Sequence, residues 1–347
     1  MAFDAFPLYP TYKFKPPIRN ASLMATAGPP SAPALGPFKN VLIIGASGSI
    51  GSIITKALLA EPSLRVTALQ RASSKAILPR GLKLILIDDD YPDAELVAAF
   101  RGHDAVLNTL NMGPAAAAPQ QRRFIDAAIA AGVRRFVPSE YGLNNANPAA
   151  QAVSAVFARK GAAQAYLRQR QREGAGAGAG AIEWTAFTTG LWLRWNMDKG
   201  FAGMRARDGR FVLWDGGRAS FSASTEENTA RAVVRSLTTH TAETRNRNVF
   251  LQDFRTSQAE VLAELEGVLG RRLETENVDG DKTVRELKAL EAAGDETASL
   301  RLIEPGFVLG IGAWFEEEGA IMNDILGLPK TNLREVVKEA VKTLKLA

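Results

Sequence analysis

Short apolar runs alternate with amphipathic stretches through the first half of the chain, beginning at residue 39. The apolar runs predict strands at 41–44, 64–69, 82–87, 105–109, 135–137 and 182–187. The stretches between them predict helices at 50–59, 94–100, 120–131 and 153–172. Continuous apolar strands are typical of a parallel sheet buried on both faces, and right-handed crossovers place helices on both of those faces. The predicted fold is therefore α/β, a doubly wound parallel sheet of the Rossmann type.

Beyond residue 190 this alternation weakens, and aromatic residues become frequent. They are Trp192, Trp195, Phe201, Phe211, Trp214 and Phe221. Helices are predicted at 225–237 and 258–269, with a short strand at 249–251 between them. We expect a first domain at residues 39–190 and a smaller lobe at residues 191–347, in which the chain crosses back to the first sheet.

Two segments lack the patterns of a packed element. Residues 1–38 are rich in proline, from Pro7 to Pro37, and predict a disordered tail. The alternatives are an organelle transit peptide or a functional start at Met24. Gly174 to Ala181 alternates glycine and alanine and predicts a flexible insertion.

The composition excludes several classes of function. Cysteine is absent and only two histidines occur, which excludes disulfides and thiolate zinc sites and argues against a histidine metal site. The net charge is +5, but much of the excess lies in the first 39 residues, so no nucleic-acid groove is expected. Since no apolar run is long enough to span a bilayer, we expect a soluble, cytoplasmic protein without a membrane partner. The oligomeric state is not indicated.

The first predicted strand is followed at once by a glycine-rich turn. Its sequence is Gly45-Ala46-Ser47-Gly48-Ser49-Ile50-Gly51, and a helix is predicted directly after it. The first glycine allows the tight turn, the second lets the backbone approach a pyrophosphate, and the third lets the helix pack closely on the strand. Backbone N–H groups at the helix start hold phosphates. The turn predicts a dinucleotide site; the alternative is a purely structural glycine turn. We therefore expect the domain at residues 39–190 to bind NAD(P) and the lobe at residues 191–347 to be the substrate lobe.

The end of the second strand indicates which dinucleotide is bound. An NAD-selective site has an acidic residue about 20 positions after the turn, whereas this chain has Arg71, Ser73 and Lys75 there and no carboxylate. Arginine binds a 2′-phosphate through its forked guanidinium group. These residues therefore favour NADP(H), and the alternative is a solvated basic loop.

Residues 124–142 carry a motif of known type. They read Phe-Ile-Asp-Ala-Ala-Ile-Ala-Ala-Gly-Val-Arg-Arg-Phe-Val-Pro-Ser-Glu-Tyr-Gly. This segment resembles the isoflavone reductase-like and NmrA-like family of atypical short-chain dehydrogenases/reductases, in which a Pro-Ser-Glu-aromatic-Gly signature follows the strand. The corresponding residues here, 138–142, are called the signature loop below. The resemblance extends from Lys39 to about Leu193, and more loosely to Leu269.

The resemblance also implies a catalytic residue. Ordinary short-chain dehydrogenases use Tyr-x-x-x-Lys, but residue Asn145 follows Tyr141 at that spacing and Arg170 follows Tyr166. The reductase branch of the family uses a lysine early in the next helix, three residues after a phenylalanine, and Phe157-Ala-Arg-Lys160 fits this pattern. Lys160 is therefore implied as the acid/base and as a contact to the nicotinamide. Without the resemblance, Lys160 is an exposed helix residue.

Further candidates lie after the predicted strands. Asn108 and Asn111 follow the fourth strand at the edge where ligands bind; a contact to the nicotinamide and a turn cap are both open for Asn108. Glu140 is a proton relay or, in the alternative, a loop organiser that accepts backbone N–H bonds. The acidic run 88–90 resembles a metal run, although a solvated loop explains it better.

The pocket of the substrate is expected near the sixth strand. The family places its lining residues there, which corresponds here to Thr189 and Trp192, together with Tyr141 from the signature loop. Trp192 and Trp195 are candidates to stack on an aromatic substrate, with a place in the core as the alternative.

The resemblance implies an NADPH-dependent oxidoreductase that acts on a small aromatic or conjugated metabolite. One alternative is a non-catalytic NADP(H)-sensing regulator of the NmrA type that binds a protein partner. Another is a scaffold that has lost cofactor binding. The sequence leaves the substrate and the direction of the reaction open.

Overall fold

The computed structural model describes residues 36–111, 117–176 and 181–346. Its central element is a seven-stranded sheet in which all neighbouring strands are parallel, in the order β3-β2-β1-β4-β5-β6-β9. The strands are β1 (Asn40–Ile44), β2 (Arg65–Arg71), β3 (Lys83–Ile87), β4 (Ala105–Asn108), β5 (Arg135–Val137), β6 (Glu183–Thr188) and β9 (Arg247–Phe250). The predicted fold class is confirmed.

Helices cover both faces of this sheet. They are α1 (Ser49–Leu59), α2 (Asp93–Phe100), α3 (Ala118–Ala130), α5 (Ala155–Gly176) and α7 (Glu226–Leu237). Helices α4 (Pro148–Val153) and α6 (Leu193–Lys199) pack in a separate core with the C-terminal part of the chain. Side chains of β1 alternate between the faces: Val41 and Ile43 pack with α1 and α7, whereas Leu42 and Ile44 pack with α2, α3 and α5. The sheet is thus buried on both sides, as its continuous apolar strands predicted.

The C-terminal part adds a third core and two small sheets. Strands β8 (Ser220–Ala223) and β10 (Phe254–Ser257) pair antiparallel, and β7 (Arg210–Trp214) pairs with β11 (Glu274–Val278) in parallel. The remaining helices are α8 (Gln258–Leu269), α9 (Gly280–Ala292), α10 (Glu296–Arg301), α11 (Ile303–Val308), α12 (Phe315–Glu318) and α13 (Leu333–Leu344). Because β9 joins the main sheet and α7 packs on α1, the C-terminal part shares the core that lies between the main sheet and these two helices. The domain boundary at residue 190 stays a prediction.

Two predicted boundaries need correction. The helix predicted at 153–172 is broken at Ser154, which has extended backbone angles and whose hydroxyl group accepts from the N–H of Val156 and donates to the carbonyl oxygen of Ser299. The second half, α5, continues to Gly176 and so includes the start of the predicted Gly/Ala insertion. Residues 177–180 of that insertion lie outside the described residues.

The folded chain begins before residue 39. Phe38 was assigned to the tail by sequence, but it is only 1% exposed and its ring lies under the guanidinium groups of Arg134 and Arg135. Its N–H donates to the carbonyl oxygen of Leu237. Residues 1–35 of the predicted tail lie outside the described residues. Over the described ranges, no helix is both long and apolar enough to cross a membrane.

Candidate active site

The glycine-rich turn connects β1 to α1 at the carboxyl edge of the sheet. Gly45 has φ +85°, which favours glycine, and a Cβ on Gly51 would lie 2.1 Å from the carbonyl oxygen of Gly45. The turn is closed by a hydrogen bond of 3.0 Å from the N–H of Gly48 to the same oxygen. Helix and strand therefore meet at a distance that only glycine permits, as the motif predicted.

The start of α1 has the properties of a phosphate site. Gly48 is its N-cap, and within the described chain no side chain accepts a hydrogen bond from the first turn. Ser47, Gly48 and Ser49 are exposed, whereas Ala46 and Ile50 are buried beneath them. The first N–H groups of a helix lack backbone partners and carry partial positive charge. The turn therefore fits the diphosphate of a dinucleotide.

Arg71, Ser73 and Lys75 lie exposed at the end of β2, where the adenosine half of a dinucleotide is expected. The expectation that no carboxylate lies at the end of β2 is wrong. Asp89, which follows β3, accepts hydrogen bonds from the N–H (3.0 Å) and the hydroxyl of Ser73 and lies 3.9 Å from Arg71. These hydrogen bonds, foremost that of the hydroxyl, lower the pKa of Asp89. The correction follows from strand order, because β2 and β3 are neighbours and end together.

The acidic run at residues 88–90 also contains Asp88 and Asp90, both exposed. Among the described residues, no cluster of three or more carboxylate or histidine side chains is arranged to hold a metal ion.

Asn108 organises the strand end. Its side chain is fully buried, donates to Gln121 (3.0 Å) and accepts from the N–H of Leu110 (3.1 Å). Gln121 also accepts from the N–H of Ser139 at 2.9 Å, which ties the end of β4 to the signature loop. The structure thus shows the capping role for Asn108, and a contact to the nicotinamide stays a prediction. Asn111 lies exposed at the same edge.

Lys160 lies on the first turns of α5 and points into the protein. Its Nζ donates a hydrogen bond of 2.9 Å to the backbone carbonyl oxygen of Glu140. Burial lowers the pKa of Lys160, and the nearby carboxylate of Glu140 opposes this effect. The interpretation of Lys160 as an exposed helix residue is wrong, since the amine is partly buried and tethered at the carboxyl edge.

Glu140 is 1% exposed, and its carboxylate does not organise the loop through backbone N–H groups as expected. Its Oε2 accepts from the side-chain amide of Asn145 at 2.9 Å, and its Oε1 is buried without a hydrogen-bond partner in the described chain. Burial raises the pKa of Glu140, while the charge of Lys160 is the largest of the effects that lower it. A buried acid, Glu140, thus lies near a partly buried base, Lys160, and the two residues are joined through the backbone oxygen of Glu140.

Two further polar atoms beside this pair lack partners among the described residues. They are Oδ1 of Asn145 and the hydroxyl of Tyr141. Tyr141 has φ +25° in the signature loop, and burial raises the pKa of its hydroxyl well above the ordinary value. Buried polar atoms are normally hydrogen-bonded, so such a cluster is typical of a functional site.

Aromatic rings lie next to Tyr141. Its ring is parallel to that of Phe187, with centroids 6.4 Å apart, and 6.5 Å from Trp192. The indole N–H of Trp192 donates to Thr229 at 3.1 Å. Trp195 lies elsewhere, edge to face with Phe201 at 5.9 Å. Of the two tryptophans, only Trp192 is placed beside the signature loop by a ring contact.

Thr189 is fully buried after β6, and its N–H donates to the carbonyl oxygen of Gly142 at 2.9 Å. It therefore holds the signature loop against β6. Together these contacts join the ends of β1, β4, β5 and β6 along one edge.

Sequence reasoning missed two residues of this site. Asn145 entered the analysis only as a mismatch to the Tyr-x-x-x-Lys pattern, yet it hydrogen-bonds Glu140. Asp89 was assigned to a solvated loop. The signal available for both was their position in the chain, since each follows a predicted strand of the parallel sheet.

Comparisons with known proteins agree with this geometry. Residues 37–310 match the NmrA-like family. The oxidoreductase aprR from Aspergillus flavus is 32% identical over 310 residues, which cover 87% of this chain and 98% of that protein.

Solved structures of similar fold include an isoflavone reductase, with a TM-score of 0.67 and 21% identity over 87% of this chain and 99% of that one. An NADPH-dependent quinone oxidoreductase from Escherichia coli, complexed with NADPH, has a TM-score of 0.64 and 20% identity over 86% and 99%. The predicted family and the predicted class, an oxidoreductase, are confirmed.

Proposed function

Because the chain belongs to the NmrA-like family, we propose that it is an NADPH-dependent reductase of a small, aromatic or conjugated, oxygenated metabolite. Lys160 is the acid/base of this reaction. The observation that carries the proposal is the amine of Lys160, partly buried and held 2.9 Å from the carbonyl oxygen of Glu140. A buried amine with a lowered pKa exchanges protons more readily near neutral pH than an exposed one.

The cofactor assignment is supported by the glycine turn and by the charge beyond β2. The uncapped start of α1 fits a diphosphate. Arg71 and Lys75 offer positive charge for a 2′-phosphate. Asp89 lies beside Arg71 and limits this preference, since a phosphate at Arg71 would come close to its carboxylate. When bound, the cofactor supplies a hydride from carbon 4 of its nicotinamide ring.

The residues of the chain supply the proton. In the reductive direction, the ammonium group of Lys160 donates a proton from Nζ to the substrate oxygen that gains charge. The backbone oxygen of Glu140 orients Nζ, and the carboxylate of Glu140 keeps positive charge on the amine favourable. Asn145 holds that carboxylate in place. Lys160 is the catalytic residue, and Glu140 and Asn145 are positioning residues.

The substrate class is supported by the aromatic rings beside the signature loop. The half-buried rings of Tyr141 and Trp192, tilted by 39° and backed by the buried ring of Phe187, form an apolar surface beside the signature loop. Such a surface favours a planar substrate by stacking. The nearby hydroxyl of Tyr141, without a partner in the described chain, is a hydrogen-bond donor for an oxygenated ring.

Turnover is the decisive measurement. The protein is incubated with NADPH and with quinones, aromatic carbonyl compounds or benzylic ethers. Consumption of NADPH is followed by its absorbance at about 340 nm, where the reduced nicotinamide ring absorbs. We expect consumption with wild type and none above background with Lys160→Ala. NADPH binding without turnover of any compound would instead indicate the sensing regulator, and absence of NADPH binding would contradict both functions.

A further inference from the structure

A second cavity lies at the β9 edge of the main sheet, along the later turns of α5. Its volume is about 540 Å³. It is lined chiefly by three arginines and three asparagines, namely Arg168, Arg172, Arg247, Asn144, Asn246 and Asn248. These side chains come from α5, from the loop after β5 and from the start of β9.

The cavity carries excess positive charge. Within the described ranges, none of its three arginines forms an ion pair with a carboxylate. One acidic residue, Glu318, also lines it, but the two oxygens of this carboxylate accept the amides of Asn144 and Asn147 at 2.6 Å each. Three guanidinium groups thus stand against one carboxylate in the lining, and Arg168 is also attracted by the buried carboxylate of Glu140. The remaining positive charge favours an oxyanion, particularly one with several oxygens.

The lining is held in place by its own hydrogen bonds. The guanidinium group of Arg168 lies 5.2 Å above the ring of Trp184 and donates to Gln164 at 2.9 Å. Gln164 donates in turn to Asn248 (2.7 Å). Asn248 donates to Asn144 at 3.3 Å. A ligand therefore meets one arginine, Arg168, whose orientation is already fixed, which lowers the entropic cost of binding at that donor.

One wall of the cavity is aromatic. Trp184 lines the cavity and is 4% exposed, and its ring carries the guanidinium group of Arg168 at 5.2 Å. A guanidinium group that stacks on an aromatic ring keeps its N–H groups free to bind an oxyanion.

We propose that this cavity binds a small polyvalent oxyanion, a compound with closely spaced phosphate or carboxylate groups, at a site separate from the cofactor. In the sheet, β9 lies four strands away from β1, which corresponds to about 19 Å at about 4.8 Å per strand. The glycine turn follows β1, so one small anion cannot occupy both places. The proposal does not rest on the proposed function.

The test is a calorimetric titration of the full chain with pyrophosphate, citrate and inorganic phosphate at constant ionic strength. The key variant is Arg172→Gln combined with Arg247→Gln, since both side chains are exposed and neither holds another element. We expect the affinity for pyrophosphate or citrate to fall at least roughly tenfold, because a hydrogen bond to a charged group contributes about that much. The stronger of the two ligands identifies phosphate or carboxylate as the recognised group.

Two further measurements separate the sites. Arg101→Gln removes an exposed arginine outside the cavity and should leave binding unchanged. Saturating NADPH should also leave it unchanged; loss of anion binding in the presence of NADPH would assign the anion to the cofactor site and overturn the proposal. Absence of binding in wild type at millimolar concentrations would overturn it as well.

Discussion

The Nζ of Lys160 hydrogen-bonds the backbone carbonyl oxygen of Glu140, while the carboxylate of the same residue opposes the lowering of the lysine pKa by burial. One residue of the signature loop thus acts on the amine in two ways: its backbone fixes the position and its side chain tunes the charge. The loop is held in turn by Gln121 at the N–H of Ser139. Changes in this loop should therefore affect proton transfer before they affect cofactor binding.

Replacing the lysine is the most direct test of its role. Lys160→Met should lower kcat by about 10²- to 10⁴-fold, the usual contribution of a general acid. The Kd for NADPH should change far less, because the phosphate site at α1 is untouched. Lys338→Met, at an exposed position of α13, serves as the matched control. Equal kcat values for wild type and Lys160→Met would refute the assignment.

Glu140→Gln should shift the pH dependence of kcat. The carboxylate raises the pKa of Lys160 against the effect of burial, so its removal lowers that pKa further. If the protonated amine donates the proton, activity declines as pH rises through this pKa. The decline should therefore move to lower pH in Glu140→Gln. A pH–rate profile identical to that of wild type, with Glu317→Gln as the exposed control, would argue against coupling between the two groups.

The end of β2 should set the preference between the two nicotinamide dinucleotides. Arg71→Ala should weaken NADPH binding by roughly tenfold or more and leave NADH binding nearly unchanged, since only NADPH carries the 2′-phosphate. Asp89→Asn should act in the opposite direction, because it removes a carboxylate that lies 3.9 Å from Arg71. Fluorescence titration of wild type and both variants measures the dissociation constants for the two cofactors. Arg71→Ala with equal losses for both cofactors would contradict this account.

The glycine turn should not tolerate a Cβ at its third glycine. In Gly51→Ala the new Cβ would lie 2.1 Å from the carbonyl oxygen of Gly45, so helix and strand must separate. We expect a lower Tm and loss of NADPH binding. Gly267→Ala in α8 is the control, since nothing lies within 4 Å of a Cβ there. That substitution should stabilise the fold by about 0.5–1 kcal/mol. Undiminished binding by Gly51→Ala would mean that the phosphates lie elsewhere.

A stability prediction concerns Arg135, the first residue of β5, at the amino-terminal ends of the strands. Arg135 is fully buried and donates to Glu183 (2.7 Å) and to the carbonyl oxygens of Ser236 and Thr241. Arg135→Met should cost about 3 kcal/mol, because it leaves the carboxylate and two carbonyl oxygens without this donor. Denaturant unfolding measures the loss. Arg65→Met, at an exposed position, should change the free energy of unfolding by less than about 0.5 kcal/mol.

Local patterns predicted most of the sheet. The apolar runs placed the strands to within a few residues, because burial on both faces leaves a continuous signal along the chain. The spacing of Gly45, Gly48 and Gly51 predicted a close approach of strand and helix for the same local reason. The break at Ser154 escaped prediction, since it depends on a hydrogen bond to Ser299, far along the chain.

What the sequence did not reveal depends on strand order and on packing between distant segments. Asp89 meets Ser73 because β3 pairs with β2, and periodicity alone carries no information on pairing. The basic cavity combines α5 with β9, which are separated by much of the chain. Lys160 was found through a resemblance, whereas its tether to Glu140 required coordinates.

The length of α5 has a practical consequence. From Lys160 to Gly176 the helix rises by about 24 Å at about 1.5 Å per residue, so its carboxyl end is remote from the reacting amine. We therefore expect a change at that end of α5 to leave the position of the Lys160 amine unaltered. A fluorescent reporter or an affinity tag spliced in after Gly176 should leave turnover intact, which makes this point of the chain a natural attachment position for imaging or immobilising the working enzyme.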